Sequence, residues 1–286
     1  MQVHLLRAIS VVLAVCVLQT GCAAPSGAVQ RQTAFARTDS SGVLRAGYIT
    51  YPPSFITTPD GSQKSGIMYD VMQRVAQGLN FKVEYVEETS WATMIETVNS
   101  GRVDVVVTGL WPSSARARRA DFSRPVYYSP VQAYVSAGKT SFDGDLAKIN
   151  TASTRIATID GELSAIVAKS DFPNAQTVSL PSSTDVSQLL LQLTTDKADV
   201  TFVEPAIAAG FLAKNPGTIR KVNGVSPVRV FPNVFMVAKG ETDLLNALNV
   251  AVDELVATNV VGATLARYDP SHDLFLTPAA PFAQPR

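Results

Sequence analysis

The central part of this chain lacks the side chains that most often carry catalysis or bind transition metals. Its 286 residues include two cysteines and two histidines, and these four residues lie near the two ends, at Cys16, Cys22, His4 and His272. A Cys–His or Ser–His–Asp catalytic arrangement is therefore excluded from the central region, and a metal site is not expected there. No disulfide can form there either, so we expect the fold to be stabilised by burial of apolar surface.

Two further features that the sequence lacks exclude other classes of function. The 24 basic and 24 acidic residues cancel, and no run of basic residues stands out, so binding to nucleic acid is not expected. The sequence also has no glycine-rich phosphate loop, and no cofactor is expected. Acidic residues such as Asp160, Glu162 and Asp185 could serve as a general base, but acidic residues at turns and helix ends usually have structural roles.

The N-terminus has the pattern of an export signal. Arg7 supplies a positive charge, and residues 8–18 form an apolar run interrupted by Ser10. This run has the length of the hydrophobic core of a signal peptide and is too short to span a bilayer, so a retained anchor is disfavoured. No later stretch is long enough for a transmembrane helix. We therefore expect the protein to be exported from the cytoplasm.

Two cleavage patterns compete at the end of this signal. Cys22 follows small and polar residues, as in a bacterial lipoprotein, whose cysteine is lipidated and becomes the new N-terminus. Gln19 occupies the position where leucine is usual, and ordinary cleavage after Ala24 or Ala28 is the alternative. We favour a lipoprotein-type signal peptide over residues 1–22, with Cys22 as the lipidation site and a lipid anchor in the membrane.

Hydrophobic periodicity divides the remaining sequence. Residues 23–41 are rich in polar and small residues without periodicity and predict a flexible tether. Strand patterns cover residues 43–49, 81–86, 103–108, 131–135, 155–159, 199–203 and 228–237, the last broken by Pro232. Helix patterns cover residues 68–79, 91–98, 162–168, 186–193, a segment beginning at 205, and 244–255. This alternation indicates an α/β fold with largely parallel sheets, built as two units in series with a ligand cleft between them.

Short motifs along the chain resemble those of a known family. They are, in chain order, Tyr51-Pro52-Pro53 with Phe55, Asp60-Gly61 with Gly66 and Asp70, Gly101 with Asp104, and the stretches 108–116 and 121–125. The last two resemble a Thr-Pro-Glu-Arg-like turn followed by Phe-Ser-x-Pro-Tyr, with Arg116 six residues before Phe122. In this order the motifs resemble the family-3 extracellular solute-binding proteins, which bind amino acids for ABC importers, over residues 42–268.

The resemblance implies a two-lobed periplasmic-binding-protein type II fold. Lobe 1 would comprise residues 42–133 and 234–270, and lobe 2 residues 134–233, with an irregular tail over 271–286. It also implies a function without catalysis, in which a small amino-acid-like or amine-containing solute is captured between the lobes. The expected partners are that solute and the membrane subunits of an ABC importer, on the outer side of the cytoplasmic membrane.

The same resemblance assigns roles to charged residues. Arg116 would bind the α-carboxylate of the ligand, for which a planar guanidinium is well suited, unless it is a solvated member of the cluster with Arg118 and Arg119. Glu204 would pair with the ligand's ammonium group, unless it caps the helix that follows. Gly161 and Glu162 begin a helix whose backbone N–H groups could bind the carboxylate, although Glu162 could instead repel an anion or recognise a cation.

Aromatic residues complete the expected site. Tyr51, Trp91 and Trp111 fall at pocket positions of the family and would enclose the rest of the ligand, unless the tryptophans belong to the core. Trp111 replaces a small hydroxyl residue, so the ligand need not be a standard amino acid. The same motifs add three further expected ligand-binding residues, namely Phe55, Gly109 and Ser113.

Two other functions occur in this superfamily. Some members are enzymes such as cyclohexadienyl dehydratases, for which Glu162 and Glu204 would be candidate acid–base groups. A sensor that reports ligand occupancy to a membrane receptor is the other alternative. We expect the transport function, because no dedicated catalytic motif is evident in the sequence.

Overall fold

The computed structural model describes residues 32–270 and 274–278 of the chain. The predicted signal peptide, including Cys22, and most of the predicted tail lie outside the described residues. The helices are α1 (Ala34–Ser41), α2 (Ile67–Gly78), α3 (Met94–Asn99), α4 (Ser114–Ala117), α5 (Leu163–Asp171), α6 (Ser187–Thr194), α7 (Pro205–Lys214), α8 (Thr242–Ala257) and α9 (Val260–Tyr268). A short 3-10 helix covers Leu146–Ile149.

The strands form one large mixed sheet and two small ones. They are β1 (Val43–Tyr48), β2 (Ile56–Thr57), β3 (Lys64–Ser65), β4 (Lys82–Glu88), β5 (Val105–Leu110), β6 (Ala120–Phe122), β7 (Tyr127–Ser136), β8 (Arg155–Ile159), β9 (Gln176–Leu180), β10 (Thr201–Val203), β11 (Ile219–Lys221) and β12 (Arg229–Ala238). The large sheet has the order β10-β7-β12-β5-β1-β4, with β11 beside β7 and β6 beside β12. Strands β4, β1 and β5 are parallel, as are β8 and β9, whereas β7 and β12 run antiparallel to their neighbours.

Two long strands connect the parts of the large sheet. The first half of β12 pairs with the first half of β7, from Arg229 opposite Val131 to Asn233 opposite Tyr127. Beyond this ladder β12 continues along β5 and β6, and β7 continues along β10 and β11. The two strands expected at residues 131–135 and 228–237 are thus adjacent in the sheet.

Pro232 does not break its strand, contrary to the sequence prediction. It lies opposite Tyr128 within β12. The backbone N–H and C=O of Tyr128 are both hydrogen-bonded to Leu276 on the other side, at 2.8 and 2.9 Å. A proline is tolerated at this position because its neighbour requires no hydrogen bond from it.

The predicted tether is too long at its C-terminal end. Residues 34–41 form helix α1, in which Ala34 and Thr38 are buried four residues apart. Thr33 caps the helix, and Gly42 follows it with a φ of 70°, a conformation that favours glycine. Few large apolar residues mark this segment, since it packs mainly through Ala34 and through Phe35 against Phe81, so periodicity alone did not reveal the helix.

A second helix was also missed near the C-terminus. The apolar segment 244–255 was expected to be the final helix, but α9 follows α8 after a bend of 75°. Among the described residues no single helix is long and apolar enough to cross a membrane, although this bent pair meets the length and composition criteria together. Buried residues of both helices, such as Leu248 and Leu265, pack in the same apolar cluster as α2, β1 and β5.

Buried Asp104 joins α1 to the sheet. Its carboxylate accepts hydrogen bonds from the backbone N–H of Arg45 at 2.9 Å and from the Arg45 side chain at 2.7 and 3.1 Å, and it also pairs with Arg37 of α1. These contacts connect the segment before β5 to β1 and to the N-terminal helix. The position was recognised in the sequence as part of a family motif, and its role here is structural.

Replacing this carboxylate should destabilise the fold. We expect Asp104→Ala to lower the free energy of unfolding by about 3 kcal/mol, because two arginines and a backbone N–H lose their partner. Urea denaturation would measure the change. Asp253→Ala is the matched control, since Asp253 pairs with Arg124 at an exposed position, and it should cost less than about 1 kcal/mol. Equal effects of the two substitutions would contradict this prediction.

Candidate ligand-binding site

The ends of three strands bring most of the expected ligand-binding residues together. Trp111 directly follows β5, and Arg116 lies in the short helix α4. Gly161 and Glu162 connect β8 to α5, and Glu204 connects β10 to α7. Ligands of α/β proteins bind at such strand ends, where loops and helix N-termini converge.

Arg116 bridges two of these connections. Its Nη1 donates to the backbone oxygen of Trp111 at 2.8 Å, and its Nη2 donates to the backbone oxygen of Gly161 at 2.7 Å. Burial lowers the pKa of Arg116, and the nearby Glu162 carboxylate opposes that shift. Ser113 caps helix α4 by accepting a hydrogen bond from the Arg116 backbone N–H at 3.3 Å. The guanidinium is therefore held in place by backbone oxygens, with further N–H donors to spare, and it is not part of a solvated basic cluster.

Glu162 is buried and caps helix α5. Its Oε2 accepts hydrogen bonds from the backbone N–H of Ser164 at 2.8 Å and from the Ser164 hydroxyl at 2.5 Å. Burial raises its pKa, opposed by these hydrogen bonds and by the charge of Arg116. Because the carboxylate itself covers the helix N-terminus, it competes with any ligand carboxylate at those backbone N–H groups.

Glu204 is the most isolated charge in the site. Its side chain does not cap helix α7, so the capping role considered from the sequence is wrong. The residue is 1% exposed, and its Oε1 has no hydrogen-bond partner among the described residues; neither does the hydroxyl of Tyr51. Burial raises the pKa of Glu204 to about 7, against the opposing effect of the nearby Ser129 and Tyr51 hydroxyls, and the Glu162 carboxylate adds to the rise. No cationic side chain contributes to the pKa of Glu204.

The three aromatic residues differ in their surroundings. Tyr51 and Trp91 contact each other edge to face, with ring centroids 5.5 Å apart. The Trp111 ring stacks on Phe231 at 4.9 Å, and its indole N–H donates to Asn233 Oδ1 at 3.2 Å. The Trp111 ring therefore already has a stacking partner and a hydrogen-bond acceptor within the chain.

Two of the expected site residues, Phe55 and Gly109, have roles in packing. Phe55 is fully buried in the core, where it stacks on Tyr48 with ring centroids 5.0 Å apart, and it is not brought to the site. Gly109 lies within β5, and a Cβ atom at this position would be 2.8 Å from the Ser54 hydroxyl and 3.2 Å from Asn233. Glycine is thus required there for close packing.

A buried polar network behind the site was not predicted. Asn233 Nδ2 donates to the Ser129 hydroxyl at 2.8 Å, and the Tyr127 hydroxyl donates to the Ser54 hydroxyl at 2.9 Å. All of these residues are buried. The only signal in the sequence is the isolated asparagine in the apolar stretch 230–237, since a lone polar residue in a buried strand needs a hydrogen-bond partner.

Comparison with known proteins identifies the family. Residues 44–269 match the bacterial extracellular solute-binding proteins, family 3. The chain belongs to this family. The family description places its members outside the cytoplasm, in agreement with the predicted export.

Relatives of this solute-binding protein carry names that refer to amino acids. It is 24% identical over 208 residues to a probable histidine-binding protein of Campylobacter jejuni, covering 73% of this chain and 78% of that protein. It is 26% identical over 211 residues to the L-cystine-binding protein TcyJ of Escherichia coli (strain K12), covering 72% and 74% respectively.

A solved structure shows the same fold. The ancestral amino acid-binding protein AncCDT-1, described as a precursor of cyclohexadienyl dehydratase, superposes with a TM-score of 0.72 at 22% identity, covering 83% of this chain and 99% of that one. The likeness confirms the predicted α/β fold of the periplasmic-binding-protein type II class for this solute-binding protein.

The raised pKa of Glu204 gives a prediction about stability. In the unfolded chain a glutamate titrates near about 4.3, so the folded state binds the proton more tightly, and stability is lost as the pH rises toward 7. Glu204→Gln should therefore stabilise the protein near pH 8, by up to about 3 kcal/mol, and the gain should shrink near pH 5. Urea denaturation at the two pH values would measure it.

The control for this experiment is an exposed glutamate. Glu84→Gln replaces a side chain that is paired with Lys82 at the surface and should change stability by less than about 1 kcal/mol at both pH values. If Glu204→Gln has the same effect on stability near pH 5 and near pH 8, the carboxyl does not titrate as described.

Proposed function

We propose that this protein captures a small amino-acid-like or amine-containing solute and delivers it to the membrane subunits of an ABC importer. The names of its relatives support an amino-acid ligand. The observation that carries the proposal is that Arg116, which has N–H donors to spare, and Glu204, a buried carboxylate with an unpartnered oxygen, both lie within the electrostatic reach of Glu162. A zwitterion supplies the two groups that these side chains require.

The proposed capture uses two lobes. Lobe 1 comprises residues 42–133 and 234–270, and lobe 2 comprises residues 134–233. The long strands β7 and β12 would act as the hinge, because they are the places where the chain passes from one lobe to the other. Arg116 of lobe 1 donates to the Gly161 backbone oxygen of lobe 2, so this hydrogen bond would have to open when the lobes separate.

The contributions of the site residues follow from their contacts. Arg116 binds the carboxylate and Glu204 the ammonium group, while Tyr51 and Trp91 contact the side group of the ligand. Trp111, Gly109 and Ser113 position this machinery, through the stacking on Phe231, the close packing in β5 and the cap of α4. Gly161 provides the oxygen that orients Arg116, and Glu162 sets the local charge.

A second candidate function is a dehydratase-like activity. The specific observation in its favour is Glu204, whose pKa of about 7 suits an acid–base group at neutral pH. Capture remains our proposal, because the relatives compared above are named as binding proteins. Incubation with prephenate or arogenate, followed by detection of an aromatic product, would distinguish the two.

Calorimetry with a panel of amino acids and amines tests the capture function. We expect at least one member to bind, and Arg116→Ala to weaken that binding by about 30-fold or more, since a buried charge-assisted pair is lost. Arg118→Ala is the matched control, because Arg118 is exposed nearby and makes no ion pair with a described residue; its affinity should stay within about twofold. Absence of binding across the panel, or equal effects of both variants, would refute this site.

We also propose that Cys22 is lipidated and anchors the protein to the membrane. Cys22→Ser should then move the protein from the membrane fraction to the soluble extracytoplasmic fraction of cells, as measured by immunoblotting. Cys16→Ser is the control, since Cys16 is the other cysteine in the chain, and its fractionation should not change. A Cys22→Ser protein that remains in the membrane fraction would argue against the anchor.

A further inference from the structure

A short segment near the C-terminus, residues 274–276, lies beside the proposed hinge. The backbone N–H of Tyr128 in β7 donates to the Leu276 oxygen at 2.8 Å, and the backbone N–H of Leu276 donates to the Tyr128 oxygen at 2.9 Å. Tyr128 lies opposite Pro232 in the ladder of β7 and β12, so Leu276 is bonded to the other edge of β7. We call residues 274–276 the C-terminal strap.

The C-terminal strap is fixed to the part of the chain proposed as lobe 1. Asp269 directly follows α9 and is buried, and its Oδ2 accepts hydrogen bonds from the backbone N–H groups of Leu274 at 2.7 Å and Phe275 at 3.1 Å. The Phe275 ring is buried and contacts Tyr127 edge to face, with ring centroids 5.3 Å apart. Phe275 belongs to the same apolar cluster as α2, β1 and α8. The strap therefore connects the core of lobe 1 to the first residues of β7.

The C-terminal strap also reaches the boundary between the proposed lobes. Leu274 lines a cavity of about 650 Å³. The walls of this cavity include Pro52 and Pro53 of lobe 1, and Ile207 and Phe211 of helix α7 in lobe 2. A movement of one lobe relative to the other would change the shape of the cavity, so the strap lies where such a movement takes place.

The proposed lobes are in contact in this structure. Arg116 donates to the Gly161 oxygen across their boundary at 2.7 Å, and a Cβ atom on Gly161 would lie 3.4 Å from the backbone oxygen of Trp91. The two hydrogen bonds between the C-terminal strap and Tyr128 are made in this same arrangement. Because the strap is fixed to lobe 1, a hinge rotation that bends β7 at Tyr128 has to stretch these bonds. They therefore oppose the separation of the lobes.

We propose that the C-terminal strap is a third hinge element, which stabilises the closed arrangement of the lobes and slows the release of the solute. The strap acts through its backbone, since the Leu276 side chain is 49% exposed. The inference rests on the proposed capture function, because the two lobes and their hinge are part of that proposal. It concerns the opening of the lobes and not the recognition of the ligand.

A proline substitution in the full chain tests the C-terminal strap. Leu276→Pro removes the N–H that donates to Tyr128 and leaves the two N–H groups that donate to Asp269 in place. Small-angle X-ray scattering without ligand should give a larger radius of gyration for Leu276→Pro than for the parent. With L-histidine, L-cystine or L-arginine as the ligand, surface plasmon resonance should show dissociation about fivefold faster, which corresponds to the contribution of one backbone hydrogen bond.

The matched control is Thr277→Pro. It introduces the same residue one position later, where the backbone N–H makes no hydrogen bond to a described residue. Its radius of gyration should equal that of the parent, and its dissociation rate should stay within about twofold. Thermal unfolding checks that both variants retain the fold. If Leu276→Pro does not fold, Phe275→Ala, which removes the ring that anchors the strap on Tyr127, should change both measurements in the same direction.

The outcomes separate the C-terminal strap from the capture function. If one of the amino acids binds but Leu276→Pro changes neither the dissociation rate nor the radius of gyration, or the two proline variants behave alike, the strap is refuted and capture stands. If no amino acid or amine in the panel binds, capture fails. The strap then stands or falls with the radius of gyration of the unliganded Leu276→Pro protein.

Discussion

Strands β7 and β12 pair along a short antiparallel ladder, and the candidate ligand contacts are arranged around it. Past the ladder β12 runs along β5, whose end presents Trp111, while β7 runs along β10, whose end presents Glu204. Within the ladder, Asn233 and Ser129 are hydrogen-bonded to each other, and Asn233 also accepts the indole N–H of Trp111. The position of the site therefore depends on this pairing. The hydrogen bonds of Asn233 connect the ladder to the side chain of Trp111.

Two kinds of buried carboxylate contrast among the residues that the structure describes. Asp104 pairs with Arg37 and Arg45, and Asp199 with Lys139 and Arg155, so the chain itself compensates those charges. Burial would raise the pKa of Asp199, but hydrogen bonds from Arg155, Lys139 and a backbone N–H lower it to about 2. Burial without a cation raises the pKa of Glu204 to about 7. The first group holds the fold together. Glu204, in the second group, lowers the stability of the protein in the absence of a cationic partner. Buried charges of this kind are typical of functional sites.

Much of the fold could be predicted from the sequence, because strongly periodic apolar segments such as α2, β5 and α8 reveal their own structure. Helix α1 was not predicted, because small and polar residues form most of its contacts. The break predicted at Pro232 was wrong, because a proline is tolerated there only through the hydrogen bonds of Tyr128 to Leu276. Motif order identified Arg116 and Glu204 as site candidates. It could not show that Phe55 is a core residue or that Asn233 supports Trp111, since those facts depend on contacts across the sheet.

The pair Trp91 and Trp111 has a practical consequence. They are the two tryptophans of the chain, and both are among the residues proposed to form the ligand site. The indole emission of the whole protein therefore originates beside that site, without background from tryptophans elsewhere. Because one ring is edge-on to Tyr51 and the other is stacked on Phe231, a rearrangement of either contact would change the polarity around a fluorophore. We therefore expect the tryptophan fluorescence of the protein to report the lobe movement that we propose.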